Sequence, residues 1–237
     1  MTPMALNQAV DRLNTQGRYL EALALAGQLE GRERDTCSEM LVQINCSEAE
    51  YNLGRWGAAW ERLRGLDPIA AMFPIARAGL AQQRAWIAAH TRRPDEALRQ
   101  LGRADLRDLP RPYHAEHYFT AAVASLAAGR LDDARRHALS AADLAIRTSS
   151  RRNALFIRAR VAAAQGDWAR AESLCRTAAS HSYRAQGGDG LVLWGDALMR
   201  LGHPDEAWEA WELAIERDPQ SENARFAAER LQTVTVS

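Results

Sequence analysis

LWGDALMRLGHPDEAWEAWELAIERDP, residues Leu193–Pro219, reads as two helices joined by one tight turn. Apolar and small residues recur at three- and four-residue steps on either side of Gly202-His203-Pro204, which is a helical period and not the alternation of a strand. Gly202 suits the end of the first helix, because a left-handed backbone costs glycine nothing. Pro204 suits the first turn of the second helix, where no amide donor is needed. Asp205 and Glu206 then sit at the positive end of that helix. The stretch predicts an antiparallel helix hairpin.

The same hinge recurs along the chain. It is GRYLEA at Gly17–Ala22, GRWGAA at Gly54–Ala59, RRPDEA at Arg92–Ala97, GRLDDA at Gly129–Ala134, GDWARA at Gly166–Ala171 and GHPDEA at Gly202–Ala207. The closing alanines are spaced 37, 38, 37, 37 and 36 residues apart. Twelve residues before them stand Val10, Ser47, Ala85, Ala122, Ala159 and Gly195, five of the six small, as two closely approaching helices require. Four residues after them stand Ala26, Leu63, Leu101, Ala138, Cys175 and Trp211, all apolar and one turn further along the same face.

These motifs resemble the tetratricopeptide repeat family over nearly the whole chain. The match is closest in the last copy, through Trp194, Gly195, Gly202, Ala207, Ala214 and Pro219. The period here exceeds the family's 34 residues, which implies longer turns between pairs. Val10 and Arg92 replace the small residue and the glycine of the pattern, and the terminal proline occurs only as Pro219. The resemblance implies an all-α, right-handed α-solenoid of about six antiparallel helix pairs in one array over residues 1–237. The pairs are expected over 4–34, 39–68, 75–109, 113–147, 150–184 and 188–219. A capping helix at the C-terminal end of the array follows over 221–232, with Ser221 as its N-cap and TVTVS as a mobile tail. Pro110 and Pro112 mark one linker, and Gly187, Gly188 and Gly190 another.

Composition narrows the function. The 237 residues carry 30 basic and 30 acidic side chains, so nothing pulls the whole chain toward nucleic acid or an anionic membrane. Every basic residue is Arg. The absence of Lys excludes Schiff-base chemistry, a phosphate-loop lysine and a Ser–Lys dyad, and is read as coding bias in a GC-rich genome. Cys37, Cys46 and Cys175 form no ligand spacing and read as buried apolar residues in a reducing compartment. With no basic leader before an apolar run and no long apolar stretch, the expected setting is the bacterial cytoplasm.

No catalytic constellation stands out. His114 and His117 have helical metal-ligand spacing but no third ligand, so no metal and no cofactor are expected. Gly188-x-Gly190 lacks the dinucleotide spacing. Paired acids such as Asp132/Asp133 are explained as helix N-terminal charges, and no Ser or Cys has a triad-like neighbour. The chain is read as a non-enzyme.

The resemblance implies that the first helix of each pair lines a concave groove, at positions about fifteen, eleven, eight and seven before the shared alanine. These give a peptide-binding set of Asp11; Glu48, Tyr51 and Asn52; Gln82 and Trp86; Phe119; Phe156 and Arg160; and Asp196 and Arg200. Asn7, His90, Leu126 and Met199 share those positions. Trp86, Phe119 and Phe156 would make an apolar strip between polar ends, the usual anatomy of a recognition surface. Phe119 and Phe156 packing between adjacent repeats is an equal reading of the same sequence. Trp56, Trp168, Trp194 and Trp211 are read as inter-helix packing residues.

The leading expectation is a scaffold or adaptor whose groove holds a segment of another protein, with homo-oligomers left open. A regulatory or sensor module of a signalling or transcription system is the alternative. A third reading is nucleic-acid binding through Arg135, Arg136, Arg147, Arg151, Arg152, Arg158 and Arg160 in the fourth and fifth copies, which Asp133 and Asp143 dilute.

Overall fold

The computed structural model describes residues 3–27, 36–108, 110–180 and 188–235. Among them lie fourteen α-helices and two 3₁₀ turns, and no strand. Six antiparallel pairs follow one another as a right-handed solenoid. They are α1 (Pro3–Thr15) with α2 (Tyr19–Gly27), α3 (Thr36–Asn52) with α4 (Trp56–Leu63), and, after the short α5 (Asp67–Ala70), α6 (Pro74–His90) with α7 (Pro94–Leu101). Then come α8 (His114–Ala127) with α9 (Leu131–Leu144), α10 (Thr148–Ala164) with α11 (Trp168–Ser180), and α12 (Gly188–Leu201) with α13 (Pro204–Arg217). The last helix, α14 (Glu222–Thr235), covers the sixth pair. It runs three residues beyond the expected end of the cap, so the start of TVTVS is helical. Residues 28–35, at the end of the first expected pair, and Gly187 lie outside the described residues.

The hinge chemistry read from the sequence is present in all six pairs. Gly17, Gly54, Gly129, Gly166 and Gly202 have φ between 70° and 86°, and Arg92 takes the same left-handed conformation at 57°. The residue after each donates its amide to the carbonyl five positions back, as in Arg18 to Leu13 at 2.9 Å and His203 to Leu198 at 3.0 Å. That bond closes the first helix and aims the chain back along it. All six shared alanines are fully buried, and so are Val10, Ser47, Ala85, Ala122 and Ala159 opposite them. Gly195 has no room for more: a Cβ there would lie 2.6 Å from the Trp211 indole Cδ1. The longer period is filled by real structure, α5 before the third pair and the turns Leu106–Asp108 and Arg111–Tyr113 before the fourth.

Each first helix packs on its partner and on the neighbouring pair, so the array curves. The curve brings its two ends together. Tyr19, at the start of α2, donates its hydroxyl to Asp218 Oδ2 at 2.9 Å, and both residues are buried. Trp56 Nε1, at the start of α4, donates to Glu222 Oε2 at 2.9 Å. Gly54 lets α14 approach, since a Cβ there would stand 3.1 Å from Glu222 Oε1. The solenoid is therefore a ring whose seam joins residues 199 and 166 positions apart.

Candidate functional site

Aromatic side chains of the second, third and fourth pairs gather in one group. Trp86 of α6 stacks on Phe119 of α8, with centroids 5.4 Å apart and planes 22° apart. Tyr51 of α3 lies 6.2 Å from Trp86 at 55°. His90, one turn after Trp86, is 4.2 Å from its ring and stacks on Trp56 at 5.1 Å. Trp56 stacks on Tyr51 at 5.6 Å, which closes a circuit of four rings with Phe119 attached. The Trp86 Nε1 donor is buried without an acceptor. Trp56 also carries the seam bond to Glu222, so the aromatic group and the closure of the ring share a side chain.

Charge is divided across this surface. Glu48 stands one turn before Tyr51 on α3. Its pKa is pushed up to about 7, first by burial, then by the carboxylates of Asp11 on α1 and Glu116 on α8. Glu48 is only partly buried, so it keeps some contact with water. Burial also raises the Glu116 pKa, against the pull of Arg147. On the other side, the His90 pKa is lowered to about 4 by burial and then by Arg160 of α10. A neutral His90 directs its Nδ1 at the Trp86 carbonyl 3.0 Å away; a carbonyl only accepts, so Nδ1 carries the proton.

The sequence-derived residues divide between this group and the rest of the molecule. Tyr51, Trp86 and Phe119 come together, and Glu48, Asp11 and Arg160 surround them electrostatically. Asn52 turns back on its own helix, donating to the Glu48 carbonyl at 3.0 Å, and Gln82 is half-buried one turn before Trp86. Phe119 and Phe156 are 9% and 6% exposed and belong to the core shared by the third to fifth pairs, with Trp86 half-buried against it. Both phenylalanines therefore pack between repeats, and Arg160 lies over the Phe156 ring at 5.8 Å. Asp196 accepts from Arg230 of α14 at 3.2 Å, and Arg200 lies over the Trp168 ring of α11 at 5.5 Å. Both are engaged away from Trp86.

Sequence reading did not select Trp56, His90 or Glu116. His90 already occupied an inward position, and Glu116 lies one turn before Phe119, so extending the inward frame by one turn would have found it. Trp56 follows a hinge and carries no inward signal.

The remaining candidates have local explanations. His114 Nε2 is 2.8 Å from the Leu106 carbonyl, and buried His117, with its pKa lowered to about 4, lies between His114 and His137. Within the arginine cluster, Arg136 pairs with Asp133 on α9, Arg147 lies over the Tyr113 ring and Arg152 donates to Asn153. Cys46 and Cys175 are buried free thiols. No helix among the described residues is long and apolar enough to cross a membrane.

No protein-family model matches the sequence, and no curated protein sequence does. Solved structures do share the fold. A Rap protein complexed with competence and sporulation factor superposes with a TM-score of 0.65 at 14% identity, over 96% of this chain and 79% of that one. A thermophilic TPR protein of Thermus thermophilus gives 0.62 at 19% identity, over 81% and 99%. The Rap conjugation gene regulator of plasmid pLS20, in complex with the Phr* peptide, gives 0.63 at 13% identity, over 91% and 75%.

Proposed function

From its tetratricopeptide-type fold and the chemistry inside its ring, we propose that this protein is an adaptor that holds a segment of another protein in its inner groove. The observation that carries this reading is the circuit of Tyr51, Trp56, Trp86 and His90, four rings joined by two stacked and two tilted contacts, beside a carboxylate held out of its ordinary range. Glu48 has two carboxylates for neighbours and no ion pair among the described residues. A basic side chain of the partner would relieve that repulsion, and the rings would take its aliphatic stem or a neighbouring apolar residue. The partner segment is thus expected to place Arg or Lys next to an apolar residue. A regulatory use of such binding is the second reading. The Rap proteins that share this fold, one of them a conjugation gene regulator in complex with a peptide, favour it.

Peptide-display selection against the intact protein tests the reading. Enriched sequences should carry a basic residue beside an apolar one and lose binding to Glu48→Gln. Enrichment of acidic sequences, or of peptides indifferent to both Glu48→Gln and Trp86→Ala, would count against the groove.

A further inference from the structure

Helix α9 presents an exposed face that the repeat does not call for. Five residues after the shared alanine, the sister copies carry Gly27, Arg64, Gly102, Arg176 and Glu212. α9 has Leu139 there, 45% exposed. Leu131, about two turns earlier, is 37% exposed, and Ile146, just past the end of the helix, is 57% exposed. Ala134, Ala138 and Ala141, on the opposite side of α9, are buried in the core shared with α8 and α10.

Four charges frame Leu139. In chain order the face reads Asp132, Arg135, Leu139, Asp143 and Arg147, all exposed. From Asp132 to Asp143 the steps are of three and four residues, so these side chains share one side of α9 with Leu139 at its middle. Arg147 follows Ile146, immediately before α10, and lies over the Tyr113 ring at 5.5 Å. None of the four charges makes an ion pair among the described residues. Arg136, also exposed, is taken by Asp133.

The signs along this face run minus, plus, apolar, minus, plus. Read backwards they run plus, minus, apolar, plus, minus. A copy of the face laid antiparallel across Leu139 therefore meets an opposite charge at every step. Arg135 faces Asp143 of the other copy, Asp132 faces Arg147, and each pair occurs twice. A parallel copy meets a like charge at every step, which is unfavourable. The apolar residues match in the antiparallel order as well, Leu139 on Leu139 and Leu131 beside Ile146.

We propose that the exposed face of α9 is a docking surface for a second copy of this chain, in an antiparallel two-fold pair centred on Leu139. The apolar contacts supply the attraction, and the charges fix direction and register. The same patch serves both copies, so the assembly closes at the dimer. One helix face per copy is small for an interface, so the dimer exchanges with monomer. No residue of the aromatic group belongs to α9, and the pairing does not depend on the adaptor reading.

Sedimentation velocity and light scattering of the full chain, at low salt and across the micromolar range, decide the matter. The parent should pass from monomer to dimer with rising concentration and stop there. Leu139→Arg should remain monomeric. Arg64 and Arg176 hold the equivalent place in sister copies, so the fold tolerates that change, and an unchanged melting temperature checks it. Arg135→Glu and Asp143→Arg each set like charges across the contact and should weaken dimerisation about ten-fold or more. Both lie at exposed positions, and they read the same interface should Leu139→Arg lower the melting temperature. An equimolar mixture of these two variants should dimerise as the parent does, because a mixed pair has opposite charges at both Arg135–Asp143 crossings. A parent that stays monomeric at every concentration, even if α9 takes up some other protein, overturns the proposal. So does growth beyond a dimer, indifference to Leu139→Arg or to either reversal, or no recovery in the mixture.

Discussion

Arg92 is the one described non-glycine residue with a positive φ, and it stands where five sister hinges have glycine. A left-handed conformation costs a side-chain-bearing residue on the order of 1–2 kcal/mol, while glycine loses somewhat more entropy on folding. Arg92→Gly should therefore stabilise the protein by about 0.5–1 kcal/mol, seen as a raised midpoint in urea with unchanged slope. A loss of stability would mean that the Arg92 side chain contributes more than its backbone costs. Glu48 gives a second test at this scale. Its folded pKa of about 7 lies above the ordinary 4.5, so between those values the folded state holds more protons than the unfolded. Stability from this group is thus lost as pH rises through that window. His90 and His117 act in the opposite sense. Their folded values near 4 lie below 6.5, so stability falls as pH drops from 6.5 toward 4. Glu48→Gln removes only the first effect. It should stabilise the protein at pH 8 by about 1–2 kcal/mol, given the water that still reaches Glu48, and by nothing measurable at pH 4.5. Thermal melts across that range check it, and an equal gain at both pH values would refute the assignment.

At the scale of elements, the hairpins were legible because one short pattern sets three things at once. The glycine bends the chain, the shared alanine lets the helices touch, and the apolar residue one turn later continues the face. Five of the six copies repeat all three, and the third keeps the last two with Arg92 at the bend, so periodicity alone located them. What periodicity could not locate is whatever occurs once. The pairs Tyr19–Asp218 and Trp56–Glu222 join different residue types at unrelated separations, and no repeat marks them. The aromatic group was legible in part for the same reason: Tyr51 and Trp86 obey the frame, whereas Trp56 reaches the group from a hinge. Phe119 and Phe156 fit the groove and the core equally well in sequence, and burial decided for the core. The bonds that α14 and its approach make to α2 and α4 are polar and few, so Tyr19→Phe with Glu222→Ala should loosen closure while the sixth pair stays folded beneath α14. Spin labels at the exposed positions 20 and 220 would report it as a broader, longer distance distribution than in the parent. An unchanged distribution would show that the seam is held by something else.

At the scale of the molecule, curvature turns six hairpins into a ring, and the ring sets the electrostatics of its interior. Glu48 is out of its ordinary range first through burial and then through Asp11 and Glu116 of other pairs, and His90 first through burial and then through Arg160 from two pairs away. A ligand with a basic side chain would meet the ionised Glu48, and Trp56 would carry its presence to the seam. The most direct test is calorimetric titration of a display-selected basic peptide into the parent, Glu48→Gln and Trp86→Ala proteins at pH 6 and pH 8. Occupancy of the inner groove requires tighter binding at pH 8 than at pH 6 in the parent, with proton release near pH 7. It requires the loss of that pH dependence in Glu48→Gln and weaker binding per folded molecule in Trp86→Ala. Equal affinity for all three proteins at both pH values would contradict it.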